Sequence, residues 1–302
     1  MLSRRDALGL MGYMGLGMMA PVSSFTSGKA ILTRAIPSSG ESLPVVGLGT
    51  WRQFDVGTSA TDRQPLIEVL KRMYENSGKM IDSSPMYARS EEVIGDLTND
   101  IKQADKFFYA TKVWTTGKQE GIEQMNASFR KMRRSKMDLM QVHNLIDWQT
   151  HLETLRTWKH EGKVRYIGIT HYIDSAHDEL EKIIRSRRPD FVQFNYSIRS
   201  RHAEQRLLNA AKDSGVAVII NQPFESGSLF DAVQGKSLPA WASDYEIKNW
   251  AQFFLKYILS HPAVNCAIPG TSNPDHLMEN IAAGYGRLPD DKTRKKMADY
   301  VA

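Results

Sequence analysis

Eight times after residue 43 a short apolar run is followed by an amphipathic stretch, and this alternation excludes most folds open to a 302-residue chain. The apolar runs read as strands at 43–50, 79–83, 107–113, 138–143, 164–170, 191–196, 216–221 and 265–269. Helical patterns fall between them, at 64–77, 90–101, 118–134, 150–161, 175–187, 203–213, 246–260 and 274–284. In the first, Leu66, Ile67, Val69, Leu70 and Met73 recur at three- and four-residue steps, the mark of one buried helix face. The strand runs lack polar alternation, as parallel strands covered on both faces do. Strict β–α alternation predicts one α/β domain over residues 31–302, a (β/α)8 TIM barrel. A doubly wound sheet is the alternative, but its G-x-G-x-x-G turn is missing: GLGTW at 47–51 lacks the third glycine. The stretch that opens at residue 31, two runs about a Ser-Ser-Gly turn, reads as an N-terminal β-hairpin plugging the barrel, and an extra C-terminal helix is expected at 290–301. The interruption at 225–245 is expected to be an elaborated loop on the active face.

Residues 1–30 obey a different pattern. Ser3-Arg4-Arg5-Asp6 precedes a moderately apolar, glycine-containing stretch at 7–20 and a small polar tract. A charged start, a short apolar middle and a small-residue end describe an export signal, and the paired arginines resemble a twin-arginine signal. The expectation is a periplasmic protein handed to export machinery, with membrane anchoring by an uncleaved signal as the alternative. Removing these residues takes away three cations and one anion, which leaves +3 of the net +5. So small an excess describes a mixed, solvated surface and no nucleic-acid partner. The single Cys266 allows neither an internal disulfide nor a cysteine-rich metal site, and His171, His177 and Asp178 lack ligand spacing, so no metal is expected.

Four residues carry chemistry at strand ends, where active groups of such barrels gather. Asp82 closes the second strand, Tyr87 lies on its loop, Lys112 ends the third strand and His143 ends the fourth. Singly, each has a plain reading: a helix cap, loop packing, a rim charge, a structural histidine. Together they form an acid–base set. Tyr87 can donate a proton if a cation lowers its pKa, Lys112 can be that cation, Asp82 can hold Lys112, and His143 can orient a carbonyl oxygen.

The order D-x4-Y, TK and QVH on successive strands resembles the aldo-keto reductases. GLGTW, EGKVRYIGIT, QFNYS and IPGTSNPDHLMENIAA extend the likeness over residues 31–300. The resemblance implies carbonyl reduction by hydride transfer from a nicotinamide dinucleotide, NADP(H) with NAD(H) possible. Thr170, His171 and Gln193 would hold the carboxamide, while Asn221 stands where an aromatic often stacks on the nicotinamide. Thr271, Ser272, Asn273 and His276 would meet the adenosine phosphate, and Glu279 and Asn280 the adenine. His276 and Gly270 replace the usual basic residues, which weakens the grip on a 2′-phosphate. Trp51 and Trp114 would flank a small-molecule carbonyl substrate. The alternative function is a nucleotide-binding regulatory or partner subunit with little turnover.

Overall fold

The computed structural model describes residues 30–302. The export signal expected at the N-terminus lies outside the described residues, Ala30 apart. Strands β1 (Thr33–Ala35) and β2 (Ser42–Pro44) form an antiparallel hairpin. Eight parallel strands follow: β3 (Leu48–Gly49), β4 (Met80–Asp82), β5 (Phe108–Val113), β6 (Met137–His143), β7 (Val164–Thr170), β8 (Phe191–Asn195), β9 (Ala217–Asn221) and β10 (Val264–Ala267). Bridges Val46–Ala267 and Gly49–Gly270 bring the first strand's neighbourhood against the last, so the sheet closes. This is the expected (β/α)8 barrel.

Helices α1 (Ala60–Glu75), α2 (Ser90–Asp100), α3 (Lys118–Lys131), α4 (Trp148–His160), α5 (His177–Arg187) and α6 (Leu207–Asp213) return between strands. The segment after β9 carries the short α7 (Ser228–Ala232) before α8 (Trp250–Leu259), with α9 (Pro274–Ala282) after β10. The helix expected from 246 starts only at Trp250. Glu246 takes a positive φ of 58°, which ends a 3-10 turn, and the Asn249 side chain then caps α8. The C-terminal α10 (Asp291–Val301) packs on α8, with Tyr300 stacked on Trp250, and its Arg294 reaches Glu204, just ahead of α6, at 2.7 Å.

The strand expected over 43–50 is divided. Leu43 and Pro44 belong to the hairpin, and only Leu48–Gly49 lie in the barrel. Close approach of the backbones governs this seam. A Cβ on Gly49 would sit 2.7 Å from the Ile268 carbonyl oxygen, and one on Gly47 3.0 Å from that of Met80.

Inside the barrel, strand alternation sorts side chains by height. Met80, Phe108, Ala110, Leu139, Tyr166 and Phe191 pack in an apolar floor against Ile36 and Leu43 of the hairpin. The rings of Phe108, Tyr166 and Phe191 lie 5.6–6.2 Å apart. Arg165 and the Tyr166 hydroxyl, the latter at 2.6 Å, bind Glu41 of the hairpin and fasten the plug. Two residues further along the same inward rows stand Asp82, Lys112, Gln141, Gly168 and Gln193, and His143 and Thr170 lie above them. The dry floor thus excludes water from beneath a polar layer.

Gly49→Ala should force the β3–β10 seam apart and cost about 1–3 kcal/mol. Urea unfolding measures this; an unchanged midpoint would show that the seam yields freely.

Candidate active site

Lys112 is fully buried, and its ammonium donates to Asp82 Oδ2 at 2.5 Å and to the Ser83 carbonyl at 2.6 Å. The other Asp82 oxygen accepts from the side-chain amides of Gln141 at 3.1 Å and Gln193 at 3.0 Å. Register makes this convergence possible. Lys112 pairs with Gln141 across β5–β6, and Gln141 with Gly168 across β6–β7. Gly168 matters here because a Cβ would lie 3.0 Å from Gln141 Cγ and crowd the reach toward Asp82.

The Tyr87 loop is held from both ends. Ser83 N donates to the Ala110 carbonyl, Tyr87 N to that of Ser84, and Ser90 N to that of Tyr87. Beyond it Glu91, part of the helix start in sequence, is buried and accepts from Thr111 Oγ1 at 2.5 Å. Its burial pushes its pKa up, against the pull of Thr111 and Ser128. That contact ties the first turn of α2 to the strand bearing Lys112.

Lys112 Nζ lies 5.2 Å from the Tyr87 ring centroid, and the Tyr87 and His143 rings meet edge-on at 5.9 Å. All four expected catalytic residues are therefore together at the C-terminal end of the barrel. Their electrostatics differ from the simple expectation in one respect. Burial raises the Tyr87 pKa above its ordinary value; Lys112 pulls it down by charge and hydrogen bond, while Asp82 pushes it up again. Burial outweighs the pull of Lys112, which Asp82 partly offsets, so Tyr87 stays protonated, in the donor form. Burial alone would lower the Lys112 pKa, but Asp82 and Tyr87 reverse the sign and keep it an ammonium. Burial, Lys112 and His171 hold His143 down to about 2, so it is neutral.

The residues expected around a dinucleotide line the same end. Thr170 Oγ1 donates to Gln193 Oε1 at 3.0 Å, so both ends of the Gln193 amide are engaged within the protein. His171 Nδ1 accepts from Tyr172 N at 2.9 Å, and Asn221 Nδ2 donates to the His171 carbonyl at 3.0 Å. Asn221 Oδ1 is buried without a partner. An unpaired acceptor beside two strand ends fits an amide N–H from a carboxamide. Around β10, Thr271 Oγ1 accepts from Asn273 N, Ser272 binds Gln53, and the Asn273 side chain caps α9. Asn280 is buried, Glu279 half-buried and His276 exposed; Asp275 pairs with Arg72 of α1 at 2.7 Å. The Asn273 cap already takes the Asp275 N–H, so what this helix start offers an anionic phosphate is chiefly the positive end of its dipole.

Trp51 and Trp114 are large apolar groups left 44% and 42% exposed. Trp114 lies 6.4 Å from the His143 ring, and the side chain of Gln124 clamps its backbone N–H and carbonyl. Two further contacts escaped the sequence reading. Gln141, inside an apolar run, is marked only by its phase, two residues from both Leu139 and His143. Ser84, whose hydroxyl lies 2.9 Å from His143 Nδ1, sits in an irregular loop with no periodic signal.

The chain belongs to the aldo/keto reductase family, whose model matches residues 45–296. It is similar to the methylglyoxal reductase YeaE of Escherichia coli, at 26% identity over 82% of this chain and 88% of that one. A second Escherichia coli relative, an NADH-specific methylglyoxal reductase, is 22% identical over 81% and 91%. Among solved structures, an aldo-keto reductase from Klebsiella pneumoniae in complex with NADPH superposes with a TM-score of 0.75. That pair is 24% identical and covers 91% of this chain and 95% of the other.

Carbonyl reduction that uses the Tyr87 proton should stay level between about pH 5 and about pH 9 and fall only as pH climbs further. The raised tyrosine, and a histidine held neutral across that range, set this shape. An inflection near neutrality in kcat would contradict it.

Proposed function

We propose that the protein reduces an aldehyde or ketone to the alcohol, using NADP(H), with Tyr87 as proton donor. The observation that carries this reading is the assembly of Tyr87, Lys112, Asp82 and His143 over a dry floor. The dinucleotide would be held by Asn221, His171 and Thr170 at one end and the start of α9 at the other, and it supplies the hydride when bound. His143 orients the carbonyl oxygen, and Tyr87 passes its proton to that oxygen as negative charge develops there. Lys112 stays charged and stabilises the tyrosinate left behind until solvent protons restore it. The alcohol leaves with one hydride on carbon and one proton on oxygen.

NADP(H) is supported by neighbours solved with NADPH or NADP, although His276 and Gly270 make a thin binding site for a 2′-phosphate. The methylglyoxal reductases among the relatives support a carbonyl substrate, and the exposed faces of Trp51 and Trp114 supply an aromatic wall for it. Tyr87→Phe should lower turnover by about 10²- to 10⁴-fold and leave dinucleotide binding intact. A nucleotide-binding partner subunit would instead show little turnover in either form.

Export of this barrel, residues 31–302, behind a twin-arginine signal at 1–30 is part of the same proposal. Arg4 and Arg5 before the apolar stretch at 7–20 support it. Replacing both arginines by lysine should retain the protein in the cytoplasm on cell fractionation; an unchanged distribution would refute the signal.

A further inference from the structure

His143 must present a donor to a carbonyl oxygen, and a neutral imidazole has only one N–H to place. Its Nδ1 lies 2.9 Å from the Ser84 hydroxyl, and both residues are buried. Ser84 Oγ already accepts the Met86 N–H at 3.3 Å. Among the described residues the contacts of that hydroxyl are with His143 Nδ1 and the Met86 N–H. A buried hydroxyl has to place its proton. With the ring proton on Nδ1, two donors would face one oxygen and the hydroxyl proton would be stranded. With the hydroxyl donating to Nδ1, both its proton and the Nδ1 lone pair are placed. Among the described residues the remaining nitrogen, Nε2, makes no hydrogen bond and is not one of the sealed, unpaired polar atoms. The Tyr87 and Trp114 rings stand beside the imidazole, at 5.9 and 6.4 Å.

We propose that Ser84 is a positioning residue that fixes His143 as the Nε2–H tautomer, so that the imidazole donates a hydrogen bond toward the substrate oxygen. The consequence for catalysis rests on the reductase reading; the tautomer itself does not. Burial and Lys112 keep the ring neutral, which leaves the tautomer, and not charge, to decide whether a donor faces the mouth. Ser84 also accepts the Tyr87 N–H through its carbonyl at 3.0 Å, so one residue places both the proton donor and the orienting group.

Protein labelled with 15N-histidine gives the tautomer directly from its ring nitrogen shifts, His143 being assigned by the signal lost in His143→Asn. In the wild type, His143 Nε2 should be protonated and Nδ1 bare at neutral pH. Ser84→Ala should move the ring toward Nδ1–H and lower kcat by about three- to tenfold, with KM for NADPH unchanged. Ser84→Thr should restore both the tautomer and the rate. Protonated Nδ1 in the wild type, or an unaltered tautomer in Ser84→Ala, overturns the proposal. Should Ser84→Ala not fold, the wild-type spectrum and Ser84→Thr decide alone: an Nδ1–H ring in either one sinks it. Absence of carbonyl reduction by the wild type would defeat the reductase reading and leave the nitrogen shifts to judge Ser84.

Discussion

The buried pair of Lys112 and Asp82 is the interaction on which the site depends. Their side chains are 0% and 3% exposed, and removing either charge from water unaided would cost several kcal/mol. The barrel offsets this by filling the valences of both groups. Two ammonium protons go to Asp82 and the Ser83 carbonyl, the third side faces Tyr87, and the free Asp82 oxygen takes two glutamine amides. Removing one partner would leave an uncompensated buried charge, so the pair enforces its own geometry. Burial keeps Tyr87 a protonated donor and not a tyrosinate, and the sharing of the ammonium with Asp82 weakens the opposing pull.

Such a pair needs a dry, rigid surround, and the strand period supplies one. Each inward row runs from an apolar residue at the floor to a polar one above: Met80 to Asp82, Phe108 and Ala110 to Lys112, Leu139 to Gln141 and His143. The hairpin seals the floor from below. At the mouth, α2 is drawn onto β5 by Glu91 and Thr111, which sets the loop carrying Tyr87 and Ser84. The fold and the chemistry are thus two heights of one set of side-chain rows.

Much of this was legible because it is periodic. The alternation of strand and helix patterns specified the barrel, and Asp82, Lys112 and His143 were visible as polar residues where apolar runs end. Less regular features were hidden. The run 43–50 looks like one strand, yet close packing at Gly47 and Gly49 turns it from hairpin to barrel within a few residues. Glu91 looks like a solvated first-turn acid, because sequence does not show that Thr111 waits opposite. Thr170 and Gln193 also bond each other, and Gln193 bonds Asp82, across strands whose pairing sequence does not display. The contact of Ser84 with His143 joins residues 59 apart and leaves no local trace.

Titration of the protein with NADPH and NADH, followed by quenching of its tryptophan fluorescence, tests the central claim most directly. Trp51 and Trp114, exposed at the mouth, should report saturable binding, tighter for NADPH than for NADH. Absence of binding by either dinucleotide would leave the assembled tetrad without a hydride source and contradict the assignment of a reductase.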